Sequence, residues 1–235
     1  MPQLTATSVL LDQILADNPF LGTPTARRSK RLVEVGAGPF PGAYEIGVAA
    51  TEDEAVEHFA LRYEAYDSHG YFNPNYEFQL PLDHDECDLR AALFSARHVV
   101  TGKIRGAARL VLDSENGLPM DDYLDLSQLR DRISSEVGHG VRLAEFSRLI
   151  SHPTGQKSLN RELVRSVLRF AVDHGIEWLV GAGRCDIAHY YEKWGFRPLE
   201  PRQEVLLTDL DIPLQMPMPL YLHYMHTSWI QWENI

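Results

Sequence analysis

The chain is poor in cysteine. Its 235 residues hold only Cys87 and Cys185, too few and too far apart for a disulfide framework, a zinc site or a redox dithiol. A reducing cytoplasm is the simplest setting. Long apolar runs are missing as well, so no membrane-spanning helix and no stable membrane insertion are expected. The opening stretch looks apolar, but Asp12 and Asp17 interrupt it and no basic segment or small-residue cleavage site frames it, which argues against a secretory signal. Positive charge is also scarce: 22 Lys and Arg face 33 Asp and Glu, for a formal net charge of -11. That balance excludes nucleic acid as a general partner and requires any anionic partner to be met by a local basic patch. No G-x-S-x-G elbow, no H-E-x-x-H pair, no internal repeat and no low-complexity tract is present. A serine nucleophile or a metal centre is therefore not expected, and direct transfer between two bound substrates is the more economical chemistry.

What remains is ordinary globular composition, 44% hydrophobic and 23% charged, in a length that suits one domain with extensions. The expectation is a single domain over 1–235, with a helix and basic loop in 1–42 and an aromatic and methionine-rich extension in 213–235. Leu4, Leu11, Ile14 and Leu15 are spaced to share one face of the first helix. The following Pro- and Gly-rich loop carries Arg27, Arg28, Lys30 and Arg31, read either as solvated charge or as a contact for an acidic partner. "YEIGVAA" reads as a strand. The next segment reads as a helix with Thr51 and Glu54 forming a capping box and Gly70 ending it. Its apolar face is expected to be Ala55, Val56, Phe59, Ala60 and Tyr63. Residues 91–112 form a hairpin turned at Thr101-Gly102. "LSQLRDRISSEV" is a short helix, "IEWLVGA" a buried strand, "DIAHYYEKWG" a helix and "EVLLTDLDI" a further strand. This alternation favours a mixed sheet with helices packed on it. The last 23 residues hold three prolines, three methionines, two tryptophans and two tyrosines, either extra core or a pocket for a flexible apolar chain.

The most informative stretch is "RLAEFSRLISHPTGQKSLNRELV", a strand followed by a loop and a helix. Strand alternation puts Leu143, Glu145, Ser147 and Leu149 on one face, and Ala144, Phe146, Arg148 and Ile150 on the other. A carboxylate in a core strand is either salt-bridged or functional, because burying it unpaired costs several kcal/mol, on the order of the desolvation of an ion. The helix that follows has free first-turn N–H groups behind Gly155, Lys157 and Ser158, a spacing that suits a phosphate. Lys157, Arg161, Arg165 and Arg169 step by four along it, opposite an apolar stripe of Leu159, Leu163, Val164, Val167, Leu168 and Ala171. They form either a solvated face or a docking surface. Upstream, Asp83, Asp85, Glu86 and Asp88 in "PLDHDECDL" could hold a metal or an ammonium group, or cap a loop. The calcium pattern is absent, and ammonium stays open. Arg109 can pair with those acids or with a substrate carboxylate.

Several segments in order, "LRYEAYDSHGYF", "DECD", "GAARLVLDSENGLPM", "LAEFSRLISHP" and "HYYEKWGFRPL", resemble those of the acyl-homoserine-lactone synthases and the long-chain N-acyl amino acid synthases, over roughly 45–212. Both are GNAT-like acyltransferases. The resemblance implies an α/β (α+β) fold with a central mixed, mostly antiparallel twisted sheet flanked by helices. It also implies that Arg62, Asp85, Asp88, Arg109, Glu145, Ser147 and Arg148 line the amine-substrate side. Where the lactone synthases carry an aromatic residue and then a tryptophan after the early arginine, this chain has Tyr66 and then Tyr71 or Phe72, which leans toward an amino acid acceptor. The loop residues His152, Gly155 and Lys157 depart from the usual GNAT phosphate loop, which disfavours coenzyme A.

The resemblance therefore implies transfer of a long-chain fatty acyl group from acyl carrier protein to an amino acid amine. No cofactor is needed beyond the acyl-phosphopantetheine arm of the donor. Glu145 would accept the ammonium proton and strand N–H groups would hold the oxyanion. Carrier protein, itself acidic, would dock on the basic stripe of Lys157, Arg161 and Arg165, beside Gly155 and Ser158. The alternatives are a lactone synthase using S-adenosylmethionine, an acyl-coenzyme-A-dependent acetyltransferase, and a non-catalytic acyl-binding module.

Overall fold

The computed structural model describes residues 6–36, 38–72, 80–137, 142–152, 156–200, 204–206 and 219–235. Its strands are β1 (Arg31–Val35), β2 (Gly42–Val48), β3 (Ala91–His98), β4 (Ile104–Leu112), β5 (Leu143–Ser151), β6 (Trp178–Arg184), β7 (Arg197–Pro198), β8 (Glu204–Leu206) and β9 (Pro219–His226). They form one sheet in the order β1-β2-β3-β4-β5-β6-β9-β7, with β8 also on β9. Every pairing is antiparallel except β5 with β6. A mixed, mostly antiparallel sheet flanked by helices is thus what the chain builds. No helix among the described residues is long and apolar enough to cross a membrane.

Two apolar layers cover the sheet. One side packs α1 (Ala6–Asp17), α3 (Glu52–Ser68) and α4 (Ser127–Val137) through Leu11, Ile14, Ala55, Phe59, Leu129 and Ile133. The other packs α2 (Pro24–Ser29), α5 (Lys157–Asp173) and α6 (Ala188–Trp194), with Leu159, Leu163, Val164, Val167 and Leu168 of α5 fully buried. The α5 stripe is therefore as its spacing implied. Leu163 lies so close to β4 that a Cβ on Gly106 would meet its side chain at 2.6 Å.

Several local expectations need correction. The basic loop is not irregular: Pro at the start of a turn capped by Thr23 makes α2, and Arg31–Val35 pairs with β2 as an edge strand. Thr51 does cap α3 through its hydroxyl, but the Glu54 carboxylate accepts from Ala50 N at 2.7 Å and not from the cap's own N–H. The buried face of α3 is Ala55, His58, Phe59, Leu61, Arg62 and Ala65, whereas Val56, Ala60 and Tyr63 are half-buried. A helix normally turns its apolar stripe inward, and here buried acids draw Arg62 in instead. The C-terminal stretch, expected as extra core or as a pocket wall, supplies a strand of the sheet: β9 pairs with β6 from Trp178↔His226 to Arg184↔Leu220. Leu4 and residues 207–218, including the end of the "EVLLTDLDI" strand, lie outside the described residues.

Candidate active site

β5 and β6 pair over three positions only, ending at Glu145↔Val180. Among the described residues they pair no further, although β5 runs on to Ser151 and β6 to Arg184. Since β6 stays paired with β9 throughout, a wedge opens between the parallel strands with Glu145 at its vertex. Backbone groups on the β5 edge beyond that vertex have no ladder partner, which makes them available to a ligand.

A β-bulge shapes the same strand. The β4–β5 register steps from Ala107↔Ile150 to Arg109↔Ser147, so Arg148 and Leu149 together oppose Ala108. Arg148 has φ 57°, the one positive value at a non-glycine residue among those described. Such a conformation costs on the order of 1–2 kcal/mol. The bulge overturns the simple alternation: Arg148 reaches Asp83 and Asp85 on the α3 side, which Ser147 also faces, instead of pointing away. Leu149 packs on the α5 side and Ile150 on the α3 side, the reverse of the expected assignment. An extra residue shifts every later side chain to the other face.

The polar cluster assembles from four elements. Arg62 of α3 donates from Nε to Asp83 at 2.8 Å and from Nη1 to the two Asp88 oxygens at 2.9 and 3.1 Å. Arg109 of β4 donates to both Asp85 oxygens at 2.7 Å, to Asp88 at 3.1 Å and to Ser147 Oγ at 3.3 Å. Asp85 and Asp88 are themselves fixed by a capping box on the turn Glu86–Arg90. Arg148 lies 3.4 Å from Asp85 with its guanidinium 5.3 Å from the centre of the Tyr66 ring. Glu145 accepts from Met120 N at 2.9 Å and is 2% exposed.

All seven residues named from the sequence therefore meet in one place, yet they are not equivalent. Arg62 and Asp88 are 0% exposed and paired with each other, which makes them a brace behind the more exposed Asp85 and Arg148. Asp83, read from the sequence only as one member of the acidic cluster, completes the brace. Its signal was its spacing, since Asp83, Asp85 and Asp88 form one loop in front of a strand. Tyr191 was also overlooked. Its ring stacks on His223 and lies against Gly183, where a Cβ would come within 2.5 Å. Burial pushes the Tyr191 phenol up to about 12.

Electrostatics separates the carboxylates. Burial would raise Asp85, but Arg109, Arg148 and Arg62 together pull it well below the usual carboxylate range. Burial also acts on Glu145 and there it prevails, holding its carboxyl above the ordinary value despite Arg109 and the Met120 N–H. One acid of the cluster is thus fixed as an anion and another is poised to take a proton. Tyr123 is raised by burial and by Glu145, so its phenol stays protonated beside that carboxylate.

The donor side is less complete. Gly155 lies outside the described residues. Gln156 precedes α5 with its side chain turned into the core, donating to Phe40 O at 2.7 Å and Tyr44 Oη at 3.1 Å. Lys157 is exposed and Ser158 half-buried on the first turn. Arg161 is 54% exposed. Arg165 is engaged: it pairs with Glu162 at 3.1 Å and donates to the Ile235 carbonyl. Arg169 lies over the Trp232 ring at 5.9 Å. Among the described residues no group of three or more His, Cys, Asp or Glu side chains is placed to hold a metal ion.

An open mixed sheet whose parallel pair splays apart, with helices on both faces, is a GNAT-like fold. A family model described as N-acyl amino acid synthase FeeM matches residues 57–209, and the chain belongs to that family. The solved structure of FeeM, an N-acyl amino acid synthase from uncultured soil microbes, is similar with a TM-score of 0.59 and 16% identity, over 80% of this chain and 96% of that one. The acyl-homoserine-lactone synthase LasI gives a TM-score of 0.52 at 14% identity, over 84% and 91% of the two chains. TofI, solved in a ternary complex with an inhibitor and MTA, gives 0.50 at 16% identity over 84% and 91%. No curated protein sequence matches the chain. The protein is an N-acyltransferase.

Proposed function

We propose that the protein moves a long-chain fatty acyl group from the thioester of acyl carrier protein to the amine of a free amino acid, in the cytoplasm and without a further cofactor. The observation that carries this reading is Glu145, a proton-accepting carboxylate at the vertex of the β5–β6 wedge, linked to the ionised Asp85 through Arg109, which acts on both. Asp85 attracts the acceptor's ammonium group. Glu145 takes one proton from it, directly or through a water, leaving a neutral amine. The amine nitrogen bonds to the thioester carbonyl carbon, and unpaired N–H groups on the β5 edge stabilise the oxyanion. As the tetrahedral species collapses the C–S bond breaks, the thiolate of the carrier arm leaves with the second proton shed by the nitrogen, and Glu145 returns the first to solvent. The wedge leads the arm inward, while Lys157 and Arg161 on α5 face the acidic carrier. The aromatic residues Tyr66, Tyr71 and Phe72 stand where the lactone synthases carry their early motif, and they support the amino acid acceptor.

The test is incubation with palmitoyl-acyl carrier protein and each of the twenty amino acids, with products identified by mass spectrometry. An N-acyl amino acid is expected. A lactone formed only with S-adenosylmethionine, or turnover of acyl-coenzyme A with no use of carrier protein, would overturn the reading.

A further inference from the structure

The three arginines of the site differ in what they have left to give. Arg62 is 0% exposed and Arg109 is 2% exposed, each with short contacts to two aspartates. Arg148 is 33% exposed and its nearest carboxylate oxygens are 3.4 Å away on Asp85 and 3.9 Å away on Asp83. Its Nε has no hydrogen-bond partner among the described residues, and neither has Nη2 of Arg62 behind it. The aspartates divide in the same way: Asp88 is 0% exposed, Asp83 12% and Asp85 35%. Asp85 and Arg148 are thus the one accessible anion and the one accessible cation of the cluster, and they lie side by side.

Local pairing narrows what can bind there. Arg148 has only long carboxylate contacts and so has room for an anion, and Asp85 beside it is open to a cation. A ligand carrying both an ammonium and a carboxylate pairs with each, whereas a simple amine leaves Arg148 without a close partner. A carboxylate has room beyond the two bonds from Arg109, so Asp85 can accept from an ammonium as well. The Tyr66 ring beneath the Arg148 guanidinium orients its plane, and the bulge aims it. Both features match the planar, two-pronged way in which arginine takes a carboxylate.

We propose that Arg148 receives the acceptor's carboxylate while Asp85 takes its ammonium, a clamp that confines the acceptor to free α-amino acids. This deepens the acyl-transfer reading and rests on it only for the use to which the clamp is put. The test is direct binding by calorimetry, without donor, of the twenty amino acids and of their amides. At least one amino acid should bind the wild type about tenfold or more tightly than its amide, the discrimination expected of a charge-assisted pair. Arg148→Gln should erase the preference by weakening the acid and leaving the amide, and Arg148→Lys should restore part of it. Equal binding of acid and amide by the wild type, a preference that survives in Arg148→Gln, or no amino acid binding at all would each overturn the clamp. The wild-type comparison needs no variant to fold. Acyl transfer is scored separately, so a clamp that binds without turnover refutes the reaction and not the clamp.

Discussion

Arg109 Nη1 lies 2.7 Å from both oxygens of Asp85. The same nitrogen is 3.1 Å from Asp88, which also holds Arg62. Asp85 is thereby fixed, ionised and turned toward the wedge by a residue that solvent hardly touches. Loop, helix and two strands are tied together at this point, so the network serves the fold and the chemistry at once.

Removing one partner of such a network leaves buried charge without compensation. Arg109→Met and Arg62→Met should each cost about 3–5 kcal/mol, which lowers the melting temperature by about 10 °C or more for a chain of this length. Thermal melts at neutral pH check this. A loss of only a degree or two would show that the aspartates find other partners.

Arg148 offers a cleaner test of backbone strain. Alanine and glycine both delete its side chain, but only glycine adopts φ 57° without penalty. Arg148→Gly should therefore be more stable than Arg148→Ala by about 1 kcal/mol, while both lose amino acid binding. If alanine proves the more stable, the bulge relaxes once the guanidinium is gone.

Patterns of short range carried most of the fold. The α5 stripe, the hairpin of β3 and β4, the Thr51 cap and the glycine that ends α6 at φ 105° are each set by neighbours within a turn or two. The acid, hydroxyl and base of β5 were visible as a candidate site because a core strand holds such groups only where they are paired or functional. What local pattern could not show was set at long range. The inward turn of Arg62 depends on acids 21 and 26 positions away, and no apolar periodicity marks it. The Arg148 bulge has no glycine or asparagine to announce it. The role of β9 was hidden by prolines and methionines that resemble an extension more than a central strand.

Glu145 should show opposite effects on activity and stability. As the base it must be ionised, so turnover should fall as pH drops through its raised pKa, above the range where ordinary carboxylates titrate. For a carboxyl raised by folding, the protonated form is the one the fold prefers. Its contribution to stability is present at low pH and is lost as pH rises from 4.5, its ordinary value, through the folded value. Glu145→Gln should then cut turnover by about a hundredfold or more. The variant should melt about 2–4 °C higher than wild type at pH 8, with no gain at pH 4. Full turnover, or a lower melting point at pH 8, would remove Glu145 from the role of base.

The basic stripe of α5 divides between two tasks. Lys157, Arg161 and Arg169 are exposed, but Arg169 lies over the Trp232 ring, and Arg165 holds Glu162 and the Ile235 carbonyl. Charges at the rim of an interface act mainly on encounter and are screened by salt. Lys157→Glu with Arg161→Glu should therefore raise the apparent KM for acyl carrier protein about tenfold at low salt, leave kcat nearly unchanged, and lose most of its effect near 0.5 M salt. Arg169→Glu should instead lower the melting temperature and leave KM alone, because its partner is internal. A double variant with an unchanged KM at low salt would mean that the carrier approaches the wedge from another face.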